Sequence, residues 1–137
     1  MIQFFQEEVA FDIPKPVKTK KWLTNTCVSN DYKITELNYI FCSDDYLLEI
    51  NKEYLDHDYY TDIITFDNSE EEGIVEGDIY ISIDRVRENA ESFDSDFETE
   101  LRRVLVHGLL HLLGFDDTTP DLKQVMRAKE DEYLLLF

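Results

Sequence analysis

Residues Leu101–Asp117 read LRRVLVHGLLHLLGFDD. Leu101, Val104, Leu105, Leu109, Leu112 and Leu113 keep the i, i+3, i+4 spacing of a helical face, and Val106 and Leu110 carry apolarity to the far side, so the stretch predicts a mostly buried helix. Within it His107 and His111 stand four residues apart. Both imidazoles therefore lie on one face, one turn apart, as two ligands of a single metal ion require. Gly114 allows a left-handed helix end, so the chain can turn back. That turn brings Phe115, Asp116 and Asp117 toward the open side of the histidines and puts a third ligand within reach, in the pattern His107-x3-His111-x5-Asp117.

A lone histidine on an apolar helix is usually a core residue with ordinary hydrogen-bond partners. Two in register leave four ring nitrogens to accommodate in a dry place, at about 1–3 kcal/mol for each group left unsatisfied. Metal coordination removes part of that cost. A histidine pair without a third histidine is a modest signal, and spacing alone leaves both roles open.

Outside this helix, 137 residues with 43% hydrophobic content fit one domain, 1–137, with a real core. The chain carries 13 basic and 31 acidic residues, a formal net charge of −18, which repels polyanions wherever salt does not screen it. A generic nucleic-acid binder is disfavoured, and DNA is not an expected partner. An RNA substrate would need a local basic patch, a metal ion, or a protein partner that delivers it. The two cysteines, Cys27 and Cys42, are too few for a disulfide scaffold and lack CxxC spacing, so they read as buried, inert thiols. There is no signal peptide and no apolar run near the length of a membrane span, and the expected location is the cytoplasm, away from membranes.

In chain order, Ile2 to Phe5 reads as a first strand, and Pro14 and Pro16 then break the chain. Val17 to about Cys27 reads as a short helix with Val17, Trp22 and Leu23 inward. Lys15, Lys18, Lys20 and Lys21 form the one dense basic cluster, whose commoner role is a solvated helix face and whose functional role would be a phosphate contact. Lys33 to Cys42 reads as a second strand joined to the first by a parallel crossover. Ser43 caps a helix from Asp44 to Tyr54, with Leu47, Leu48 and Ile50 inward. Asp62 to Asp67 and the strand through EGDIYIS pair as a hairpin, with Ile79, Ile81 and Ile83 on one face. A helix over Asp84 to about Glu91 turns Val86, Ala90 and Phe93 inward. Thr118 or Thr119 caps a last helix whose buried stripe is Leu122, Val125, Met126 and Tyr133. His57 reads as a surface residue, not a ligand. These elements give an α+β fold: a small mixed four-stranded sheet, mostly parallel with one antiparallel pair, covered by about five helices.

Three ordered blocks carry a family resemblance. HGLLHLLGFDD is similar to the HGxLHLxGYDH signature of the YbeY-type rRNA maturation factors, small metal-dependent endoribonucleases with a zincin-like metal helix. NKEYLDHDYYTDIITF (Asn51–Phe66) resembles that family's N-x-x-Y-R-x-x-D-x-x-T-D-V-L-S-F segment, and EGDIYIS (Glu76–Ser82) its L-G-D-I-x-I-S strand. The resemblance implies a metal-dependent endoribonuclease in 16S rRNA processing and ribosome quality control. It implies one Zn²⁺, other divalent ions being admissible, held by His107, His111 and Asp117, and it implies Thr61, Asp62, Thr65 and Asp78 as lining of the cleft. Its expected partners are rRNA, ribosomal particles and a basic ribosomal protein. Each lining residue also has a structural role open to it: Thr61 and Asp62 as turn caps, Asp78 as a bulge or edge charge after Gly77.

Two positions depart from the family pattern. The third family histidine falls on Asp117, a competent zinc ligand whose carboxylate should leave a bound water less acidic than three imidazoles would. The family's arginine falls on Leu55, which cannot stabilise charge on a phosphate. The sequence therefore assigns no catalytic residue beyond the metal ligands. Two other classes compete with the nuclease. A zinc peptidase would carry H-E-x-x-H, but Gly108 stands where its general base belongs. The nearer alternative is a non-catalytic ribosome-assembly factor with a structural metal.

Overall fold

The computed structural model describes all residues, 1–137. Its elements run β1 (Ile2–Glu7), α1 (Pro16–Ser29), β2 (Lys33–Cys42), α2 (Asp44–Leu55), β3 (Ile63–Asp67), β4 (Ile74–Ser82), α3 (Ile83–Ser92), α4 (Phe97–Leu112) and α5 (Pro120–Leu134). The sheet order is β1-β2-β4-β3, parallel except for the β3–β4 hairpin, so the expected α+β architecture with four mixed strands and five helices is the one formed.

Strand alternation sorts the side chains onto two faces. Leu37, Tyr39 and Phe41 of β2 and Val75, Ile79 and Ile81 of β4 bury against Trp22, Leu23 and Cys27 of α1 and the apolar residues of α4. The opposite face, with Cys42 and Ile64, is covered by Leu47 of α2. Helix α4 is thus sandwiched between the sheet and α5, and Tyr39 fixes it further by donating a hydrogen bond from Oη to the Leu105 carbonyl at 2.9 Å. Gly108 is where α4 comes closest to the sheet: a Cβ there would stand 2.8 Å from Ile63 Cδ1 and 3.0 Å from Ile79 Cγ2. At Gly77 an added Cβ would meet the Phe66 carbonyl oxygen of the paired strand.

α5 closes over α4 and is tied to the start of the chain. Trp22 Nε1 donates to the Tyr133 carbonyl at 2.7 Å, Asn30 Nδ2 donates to Tyr133 Oη at 2.8 Å, and the Phe137 ring meets the Trp22 edge at 5.3 Å. Both thiols are buried, and burial pushes each up to about 12, so Cys27 and Cys42 are neither ligands nor nucleophiles.

Some expected inward residues point outward. Val17 is exposed because Pro16 and Val17 form the first turn of α1, ahead of the stretch that reaches the sheet. Phe93 is exposed because α3 ends at Ser92, and the following Asp94 has a φ of 52° that turns the chain away. Leu122 and Val125 are exposed because the buried face of α5 runs instead through Met126, Glu130 and Tyr133. Ile83 is fully buried, but as the first residue of α3, since Ser82 ends the strand and accepts a hydrogen bond from Arg85 N at 3.2 Å. Lys15, Lys18, Lys20 and Lys21 are all exposed. Lys18 lies 4.4 Å over the Phe137 ring and Lys20 5.5 Å over Phe4. No helix is long and apolar enough to cross a membrane.

Candidate metal centre

Helix α4 starts at Asp96, whose side chain accepts from Thr99 N at 2.8 Å, and it ends in two crossed backbone bonds. Gly114 N donates to His111 O and Phe115 N to Leu110 O, both at 3.0 Å. This is a Schellman ending, and it needs the φ of +98° that Gly114 supplies without a Cβ penalty. Phe115 packs against the core and anchors the reversal. Asp116 then holds the turn, accepting from Asp117 N at 2.7 Å and Thr118 Oγ1 at 3.0 Å. Asp116 is thereby committed to the loop, while the Asp117 carboxylate faces the histidines.

The three side chains converge. His107 Nε2 and His111 Nε2 lie 3.1 Å apart, and Asp117 Oδ2 is 3.5 Å from each. Ligand atoms about 2 Å from a tetrahedral ion stand roughly 3.3 Å from one another, so the donor set fits a zinc-sized ion without rearrangement. The group brings together three side chains, which could hold an ion between them and would leave room for water or substrate beside them. The two imidazoles meet edge to face, with ring centroids 4.6 Å apart.

Behind the ligands lies a relay that reading the sequence missed. His107 Nδ1 bonds Glu130 Oε2 at 2.6 Å, and Glu130 Oε1 accepts from Arg103 at 3.0 Å. Arg103 also donates to Asp131 at 2.8 Å. A carboxylate on the far nitrogen fixes the His107 tautomer and leaves Nε2 free for a metal. Burial alone would lower the His107 pKa. The hydrogen bond and charge of Glu130, with Asp117 and Asp62 adding to them, outweigh burial and hold it above the ordinary imidazole value. The signal that could have found Glu130 is its position, four after Met126 and three before Tyr133, where an apolar stripe should continue.

The expected lining residues do not all meet here. Asp62 is half-buried in a cleft of about 250 Å³ that reaches His107, and burial holds its carboxyl above the usual range against the pull of His107. Thr65 belongs to the face of β3 that looks toward α4, the same side as Ile63. Thr61 is a turn residue, its Oγ1 3.4 Å from the Ile63 carbonyl. Asp78 lies on the opposite face of the sheet, accepting from Asn38 at 3.0 Å, and takes no part in the group. His57 is exposed and stacked on Tyr59. Leu55 ends α2 at 40% exposure, so nothing cationic occupies that position.

Comparison with known proteins agrees with this construction. The family model described as Endoribonuclease YbeY matches residues 2–137. An endoribonuclease YbeY of Cytophaga hutchinsonii is 55% identical over 98% of this chain and 94% of its own length. That of Flavobacterium psychrophilum is 49% identical over 97% and 94%. A solution structure of a Thermotoga maritima protein superposes with a TM-score of 0.68 at 32% identity, covering 98% of this chain and 87% of that one. Motif, fold and full-length likeness agree, and the chain belongs to the endoribonuclease YbeY family, a family of nucleases that hydrolyse RNA.

Proposed function

We propose that the protein, acting as one domain over residues 1–137, is a metal-dependent endoribonuclease of rRNA maturation that works on ribosomal particles in the cytoplasm. His107, His111 and Asp117 hold its ion, and zinc suits their N/N/O donor set. When bound, that ion supplies a Lewis acid and an acidified water. The residues do the rest. Glu130 locks His107, Arg103 neutralises Glu130, and the Gly114 turn delivers Asp117. Asp62 stands beside His107, in the cleft that leads to the group.

The observation that carries this reading is a three-donor group with one position left open. A purely structural metal would call for a fourth protein ligand. The test is elemental analysis and cleavage of rRNA precursors, side by side. His107→Ala and Asp117→Ala should lose both metal and cleavage. Asp116→Ala should keep its metal, because its oxygens serve the turn. Full metal content in Asp117→Ala, with loss in Asp116→Ala, would reverse the two roles.

A further inference from the structure

The cleft beside the metal group contains polar side chains that the metal reading leaves unexplained. Glu100 is only 6% exposed and lines this cleft, yet its carboxylate accepts no hydrogen bond and has no cation within ion-pair distance. Arg103, the nearest basic residue on α4, spends its donors on Glu130 and Asp131. Arg127 also lines the cleft and forms no ion pair. The Glu100 oxygens are not sealed in the protein, so they open into the cleft, where water or a ligand supplies the donors that the protein does not. Phe93, at 64% exposure, also lines the cleft, and Asn89 Nδ2 reaches Asp62 Oδ2 at only 3.4 Å.

We infer that this cleft is a base pocket, and that the base it takes is guanine from single-stranded RNA. The inference rests on the ribonuclease reading and deepens it. Guanine offers adjacent N1–H and N2–H donors, which one carboxylate accepts together, and an O6 acceptor for an arginine. Glu100 supplies the first partner and Arg127 the second. Adenine presents an acceptor at N1, which would face the carboxylate unpaired. Phe93 supplies the stacking surface by which proteins hold splayed-out RNA bases. The volume, about 250 Å³, accommodates one planar base.

Placement fits as well. Glu100, Val104, His107 and His111 recur at helical spacing along one side of α4, and seven residues separate Glu100 from His107, roughly 10 Å at 1.5 Å per residue. A single nucleotide bridges that distance, so a guanine seated at Glu100 leaves its neighbouring phosphate at the metal group. Reading a base through hydrogen bonds also suits a chain of net charge −18, which gains little from phosphates at long range.

The test measures binding of guanosine, inosine and adenosine monophosphates to the metal-loaded protein, wild type and Glu100→Gln, and cleavage of oligonucleotides with each base in turn beside the cut. Guanosine monophosphate should bind about ten-fold or more tighter than adenosine monophosphate, with the inosine form between them because it lacks the N2 amine. Glu100→Gln should bring the guanosine-to-adenosine ratio close to one, with metal content and folding retained. A wild-type ratio near one, or an unchanged ratio in Glu100→Gln, overturns the pocket even if RNA is cleaved. A guanine preference in a protein that cleaves no RNA upholds the pocket and removes the nuclease reading instead.

Discussion

Glu130 is a carboxylate at 5% exposure in contact with both an arginine and a metal-ligand candidate, and its charge is part of the site. Glu130→Gln keeps the size and a polar contact to His107 Nδ1 but removes the charge that orients the ring. Metal affinity should fall about 10- to 100-fold, as it does when such supporting partners are lost elsewhere, and competition with a chromophoric chelator measures it. Unchanged affinity would show that the contact is incidental. Glu100 behaves differently. Burial raises its pKa, opposed by Arg103 and Arg127, so ionising it costs more in the folded chain than in the unfolded one. A group raised on folding contributes stability below its unfolded pKa and loses it as pH climbs through the folded value. Glu100→Gln should therefore melt higher than wild type at pH 7, and the gain should vanish below about pH 4, near the unfolded carboxylate value. A gain that persists undiminished in acid would show that the stabilisation is not electrostatic. Both glutamates were legible only as irregularities: charges at positions where a helical stripe should be apolar. The histidine pair was legible as a pair, because two imidazoles at i, i+4 share one helix face, while that spacing alone left a core role open beside the metal one. Glu130 is far from them in sequence, and only the packing of α5 on α4 brings it in.

At the scale of elements, the metal centre depends on how closely α4 approaches the sheet. Gly108 sets that distance. Gly108→Ala pushes a methyl group onto Ile63 and Ile79, so the helix carrying both histidines must lift or the isoleucines must repack. The cost should be about 1–3 kcal/mol, read from denaturant unfolding midpoints, with cleavage falling alongside. A wild-type midpoint would mean the isoleucines yield freely. The same contact excludes the peptidase: a glutamate at position 108 would be driven into the sheet instead of toward a bound water. Element positions were largely legible, since strand and helix periods differ and Ser43 and Thr119 each cap a helix. Which layer each sheet face meets was not. Alternation groups Asp78 with Glu76 and Tyr80 but cannot tell that this face looks toward α2, and so Asp78 falls on the wrong side for the site.

For the whole molecule, net charge governs association. With −18 overall and its exposed lysines concentrated on α1, the protein should bind naked rRNA fragments weakly and with a shallow salt slope. Ribosomal particles, where basic proteins meet the acidic surface, should be bound and cut better. A salt series on both substrates, with His111→Ala as the control for cleavage, checks this. Tight binding to naked RNA with no preference for particles would refute delivery by a partner. The clasp between Trp22 and Tyr133 has a consequence in time. A ribosome makes this chain from its amino end, so His107, His111 and Asp117 are all synthesised before Glu130, and the helix bearing Glu130 docks against a segment made more than a hundred residues earlier. A nascent chain stopped short of α5 has its ligands but lacks the group that aims His107. Metal should therefore be held more weakly during translation than afterwards, and reach its full affinity only once the last helix has closed back onto the first.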